Sequence, residues 1–99
     1  MNKTYYSDYV RAALRFYSRN RENPIYRCIA DEKNWNACDT VLDKYFPIYK
    51  EVLIAVYQGF DTMGDNVYET AKKYNIPQGN VWNMMKDLER LVARERGLI

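Results

Sequence analysis

The sequence has no histidine, two cysteines, four glycines and three prolines. A missing imidazole removes the commonest general base and the commonest metal ligand, which argues against zinc centres, Ser-His-Asp triads and Cys-His nucleophiles together. Cys28 and Cys38 form a lone pair without a secretory signal, a pattern that reads as two reduced thiols rather than a bridge. Long apolar runs are absent too. The longest, Val52 to Tyr57, falls far short of a membrane span, and the first nine residues hold no apolar signal region. A cytoplasmic chain without membrane association is the default expectation. Carboxylate-only enzymes survive these exclusions, but the acidic stretches "DEKNWNACD" and "DKYF" read as polar helix faces rather than a pocket. No catalytic residue, metal or cofactor is therefore expected.

What the chain does have is apolar content of 47% and ten tyrosines in 99 residues. That suffices for one thin, ring-rich core, because tyrosine buries its ring while keeping its hydroxyl near water. No repeat, low-complexity tract or linker divides residues 1–99, so a single domain is expected, with 1–60 as a helical support region and 66–99 as a functional region. Net charge is only +2, but its distribution is uneven: residues 1–29 carry +4, residues 30–65 carry −4 and residues 66–99 carry +2. Basic ends suit a polyanion while an acidic middle faces elsewhere, although a solvated mixed surface explains the same numbers.

Helical spacing dominates the chain. Tyr6, Tyr9, Val10, Ala13, Leu14 and Tyr17 predict a first helix over about 5–18, with Arg11, Arg15 and Arg19 on another face. Those arginines either extend a polyanion footprint or bind Asp39 and Asp43. Residues 24–30 suit a short helical turn. Asn34 is placed to cap a second helix that buries Trp35, Cys38, Val41, Leu42 and Tyr45. Pro47 fits the first turn of a third helix over 46–58, which buries Ile48, Val52, Leu53, Val56 and Tyr57 and ends at a left-handed Gly59. Asn66 and Glu69 have capping-box spacing for a fourth helix starting near Val67. The last run is the most regular: Val81, Met84, Met85, Leu88, Leu91 and Val92 predict a helix over 78–94, stopped by Gly97. The expected fold is all-α, a compact bundle of about five helices.

Between the last two helices lies "YETAKKYNIPQGNVW", which interrupts a helical pattern for three residues only. A steep helix–turn–helix junction needs a small residue at the crossing, an apolar residue after the turn and another inside the second helix. Ala71, Ile76 and Val81 stand at those places, Asn75 tolerates the positive φ of the turn, and Pro77 fixes φ at the entry to the next helix. The stretch 67–86 thereby resembles the helix-turn-helix of bacterial transcription factors, with Val81 and Met84 at core positions of the recognition helix. With the tail "DLERLVARERGLI" it is similar to the sigma factor region 4 type found in small phage and mobile-element regulators. Asn75 replaces that family's usual glycine, and Pro77 stands where a Ser or Thr cap is usual.

This resemblance implies a bundle ending in a helix-turn-helix, double-stranded DNA as partner, RNA polymerase or a second copy as further partners, and a role in transcription regulation. It places Gln78, Gly79, Asn80, Trp82 and Asn83 toward base edges, where Gln and Asn can bond adenine bidentately. Lys72, Lys73, Lys86 and Arg90 would meet phosphates, with Arg94 and Arg96 farther along. Gly79 is either a close-approach point or a plain weak spot, and Trp82 either faces the groove or is partly buried. The competing reading is a non-catalytic protein-interaction module, a homodimer or a polymerase-docking adaptor, that uses the acidic middle helices.

Overall fold

In the computed structural model, which describes residues 5–99, the apolar spacing closes into α1 (Ser7–Arg19), α2 (Ile29–Tyr45), α3 (Lys50–Gln58), α4 (Met63–Tyr74) and α5 (Gln78–Glu95). Lys3, counted in the basic N-terminal segment, lies outside the described residues. The chain is all-α: among the described residues there is no strand, and no helix is long and apolar enough to cross a membrane. One core joins Val10, Leu14 and Tyr17 of α1, Cys38, Val41 and Leu42 of α2, Leu53, Val56 and Tyr57 of α3, Val67 and Ala71 of α4, and Val81, Met85, Leu88 and Val92 of α5. Each buried leucine contributes about 1.5–3 kcal/mol. Helix α1 packs against α2, α3 and α5, and α3 bridges from α1 to α4. The helix pair α4–α5 is thus set on a platform rather than hung from it. Cys28 is exposed and Cys38 buried, both as free thiols.

Several element starts differ from the sequence reading. Helix α2 begins at Ile29, five residues before the expected cap. Cys28 stands at the entry without a side-chain cap, and the Asp31 carboxylate in the first turn accepts the Arg27 N–H just ahead of it at 2.9 Å, so the helix starts without Asn34. Asn34 is buried inside the helix, donating to the Tyr9 hydroxyl at 3.0 Å and accepting from Arg96 Nε at 2.5 Å. The expected helical turn over 24–30 is replaced by irregular chain and the first residues of α2, with Ile25 and Ile29 exposed. Pro47 sits in the turn before α3 rather than in its first helical turn, since Phe46 packs on the core while Ile48 is 85% exposed. Tyr9 and Tyr45 are likewise exposed rather than core residues.

Two further corrections concern the approach to α4. Gly59 is not left-handed but extended, at φ −65°, ψ 152°. Its requirement is space: an added Cβ would lie 2.4 Å from Asn66 Oδ1. Helix α4 starts at Met63, where Thr62 caps it by accepting the Asp65 N–H at 3.2 Å. Asn66 is therefore inside the helix and buried, donating its amide to Asp61 O at 3.4 Å, and the expected Asn66–Glu69 box does not form.

Candidate nucleic-acid interface

The short interruption after α4 is made by one left-handed residue. Asn75 adopts φ 57°, ψ 49°, a conformation whose cost a short polar side chain lessens. The Ile76 N–H then bonds Ala71 O at 2.9 Å and the Asn75 N–H bonds Lys72 O at 3.4 Å, which closes the end of α4 and turns Ile76 back onto the core. Pro77 enters α5 at φ −58° without a side-chain cap. The first-turn N–H groups of Gln78 and Gly79 have no ladder partner, and no acid occupies that turn. At the other end Gly97, at φ 74°, closes α5 in the same way: the Leu98 N–H bonds Ala93 O at 2.8 Å and the Gly97 N–H bonds Arg94 O at 3.0 Å.

Val81, Met85, Leu88 and Val92 bury one face of α5, so the positions half a turn away face outward. Gly79, Asn83, Lys86 and Arg90, spaced four, three and four residues apart, form one exposed stripe, and Gln78 and Trp82 flank it. All of Gln78, Gly79, Asn80, Trp82, Asn83, Lys72, Lys73, Lys86 and Arg90 are exposed. Trp82, at 38% exposure, stands outside the core. Beyond the backbone of its own helix turn and its two chain neighbours, nothing lies within 4 Å of where a Cβ on Gly79 would stand, so the backbone there is open to a close partner.

From Tyr68 to Arg90 the exposed charges are Lys72, Lys73, Lys86 and Arg90 against Glu69 and Asp87. Among the described residues no acid pairs with Lys72, Lys73 or Lys86, and Arg90 meets Asp87 only at 3.9 Å with both side chains wet. Tyr68 and Tyr74, which the sequence reading passed over, flank these lysines: Lys72 Nζ lies 5.9 Å from the Tyr68 ring and Lys73 Nζ 5.4 Å from the Tyr74 ring. The four-residue step from Tyr68 to Lys72 is the signal that was available for that pair.

The arginines of the basic N-terminal segment are largely spent inside the molecule. Arg11 Nε meets Glu89 Oε2 at 2.9 Å, Arg21 meets Glu51 at 2.9 Å and Arg27 meets Asp31 at 3.1 Å. Of the two alternatives for Arg11, Arg15 and Arg19, the pairing with Asp39 and Asp43 is not formed. Lys50 takes both aspartates, at 3.4 and 2.5 Å, and the Tyr17 hydroxyl donates to Asp39 at 2.6 Å. Glu89 is only 5% exposed and also accepts from the Tyr57 hydroxyl at 2.7 Å, so a buried carboxylate of α5 is bonded to α1 and α3 at once. Burial and the Glu89 charge push the Tyr57 hydroxyl well above its ordinary pKa. The clue in sequence was an acid four residues after Met85, at the edge of the buried stripe.

No family model, curated protein or solved structure matches the chain.

Proposed function

We propose that the chain is a sequence-specific, double-stranded-DNA-binding transcriptional regulator that reads base edges with the N-terminal half of α5, in the manner of a helix-turn-helix resembling sigma factor region 4. The observation that carries this reading is the outward stripe of α5, where amide side chains, an open glycine, the unpaired Lys86 and the loosely paired Arg90 lie together on a helix whose opposite face is buried. Gln78 and Asn83 are suited to bond adenine, and each good bidentate pair contributes about 1–3 kcal/mol of discrimination. Lys72, Lys73, Lys86 and Arg90 supply the sequence-independent attraction to phosphates. The unpaired N–H groups at the start of α5 add a dipole that favours the same anions. The test is enrichment of duplexes from a random pool by the purified chain and by a Gln78→Ala, Asn83→Ala, Lys86→Ala variant. A shared motif enriched only by the unaltered chain supports base reading, and no enrichment at low salt removes it.

A second reading, a non-catalytic interaction module acting as a homodimer or docking on RNA polymerase, is favoured by the apolar turn between α2 and α3, where Tyr45, Ile48 and Tyr49 are exposed. The acids that suggested an electrostatic docking face are less available for it, since Asp31, Asp39, Asp43 and Glu51 each have a cation within the molecule. Sedimentation of the free chain over a range of concentrations tests self-association, and a monomer throughout counts against the dimer.

A further inference from the structure

Arg19, at the end of α1, differs from its neighbours Arg11, Arg21 and Arg27: among the described residues no carboxylate pairs with it. Its guanidinium instead donates from Nη2 to Gly59 O at 2.8 Å and from Nε to Gln58 O at 3.4 Å, and its central carbon lies 4.0 Å from the centre of the Phe60 ring. These bonds hold the side chain in place and satisfy carbonyls at the end of α3. They use two of the five N–H donors of a guanidinium and leave its charge uncompensated. Phe60 is 84% exposed, an apolar ring kept at the surface beneath a fixed cation. Both residues line an open depression that runs to α4 and includes Lys73 and the acid Glu69.

We propose that this shelf is a second contact with the nucleic acid: Arg19 and Lys73 each bind a backbone phosphate of the duplex beside the segment read by α5. The proposal rests on the DNA-binding reading of α4–α5 and extends its footprint over the outer edge of α4 onto the end of α1. Ordering a long arginine side chain is an entropic cost of binding, and here the carbonyls and the ring have already met it in the free protein. A planar guanidinium with spare donors matches a phosphate bidentately, whereas a helix cap alone requires neither the spare donors nor the lysine beside it.

The experiment measures binding of a labelled random-sequence duplex between about 50 and 200 mM salt, where affinity follows the number of phosphates neutralised. Arg19→Gln and Lys73→Gln should each make the slope of log affinity against log salt shallower by about one, and the double variant by about two. Glu69→Gln, which removes the acid from the shelf, should tighten binding. A pure capping role for Arg19 moves thermal stability and leaves the slope alone. If Arg19→Gln does not fold, Glu69→Gln decides, because its side chain does not bond the end of α3 and, unlike Lys73, it is not among the phosphate contacts of the α4–α5 reading. An unaltered slope in Arg19→Gln beside shallower ones in Lys73→Gln and Lys86→Gln overturns the shelf and leaves the α4–α5 reading standing. Absence of binding by the unaltered chain overturns both.

Discussion

Removing Arg11 should destabilise the fold far more than its partly exposed position suggests. Glu89 is buried, and its Oε2 accepts from Arg11 Nε at 2.9 Å and from the Tyr57 hydroxyl at 2.7 Å. Arg11→Met leaves that carboxylate enclosed with one neutral donor and no cation, and breaking a buried pair in this way costs about 3–5 kcal/mol. Tyr57→Phe keeps the ring and the ion pair and removes one hydrogen bond to a charge, a loss of about 1.5–3 kcal/mol. Replacing both ions, Arg11→Met with Glu89→Leu, removes the buried charge along with its partner. It leaves only the Tyr57 hydroxyl unsatisfied and should return to within about 1–2 kcal/mol of the unaltered chain. A domain of this length has a total stability of about 5–15 kcal/mol, so Arg11→Met alone takes a large share of it. Urea unfolding of these three variants and of Glu89→Leu alone, followed by far-ultraviolet circular dichroism, gives all four values if the dependence on denaturant stays constant across the set. A cost below about 1 kcal/mol for Arg11→Met, or a double variant as unstable as the sum of the single ones, would refute the reasoning.

Gly79→Ala has open space and should raise stability by about 0.5–1 kcal/mol while weakening binding to an enriched duplex; equal binding would make Gly79 a plain weak spot in the helix. Gly59→Ala drives a Cβ to 2.4 Å from the buried Asn66 side chain and should cost about 1–3 kcal/mol in a denaturation experiment, whereas a cost near zero would show that Asn66 moves away freely. Burial and the Asp39 carboxylate push the Tyr17 hydroxyl up to about 12. Because the folded chain holds that proton more tightly than the unfolded one, the contribution is complete below about pH 10 and is lost as pH rises to about 12. Urea midpoints across that window should fall less steeply in Tyr17→Phe.

Elements whose signals are local were readable from the sequence. The stripe of α5 repeats every three to four residues, Asn75 and Gly97 are residue types that accept positive φ, and the structure has both in that conformation. Capping was less legible, because it is a competition. Thr62 and Asp65 offered a box at the same spacing as Asn66 and Glu69, and Thr62 takes the helix start while Asn66 is buried beneath Gly59. Asn34 looked like a cap because a buried asparagine needs partners far away in sequence, here Tyr9 and Arg96. The charge pattern misled for the same reason. Net charge by segment counts Arg11, Arg21 and Arg27 as available to a polyanion, but Arg11 and Arg21 have carboxylates that only folding brings near, and Arg27 pairs with Asp31 four residues on. The exposed residues of α5 were legible because periodicity alone divides a helix into inside and outside, and none of them depends on a distant partner.

The most direct measurement is a titration of the 15N-labelled chain with an enriched duplex, following backbone amides, the Trp82 indole and the side-chain amides of Gln78, Asn80 and Asn83. The account predicts the largest shifts at Gln78 to Lys86, smaller ones at Lys72 and Lys73, and none in the turn around Ile48. Saturable binding with the largest shifts at residues 45–49, and an unmoved first half of α5, would contradict it.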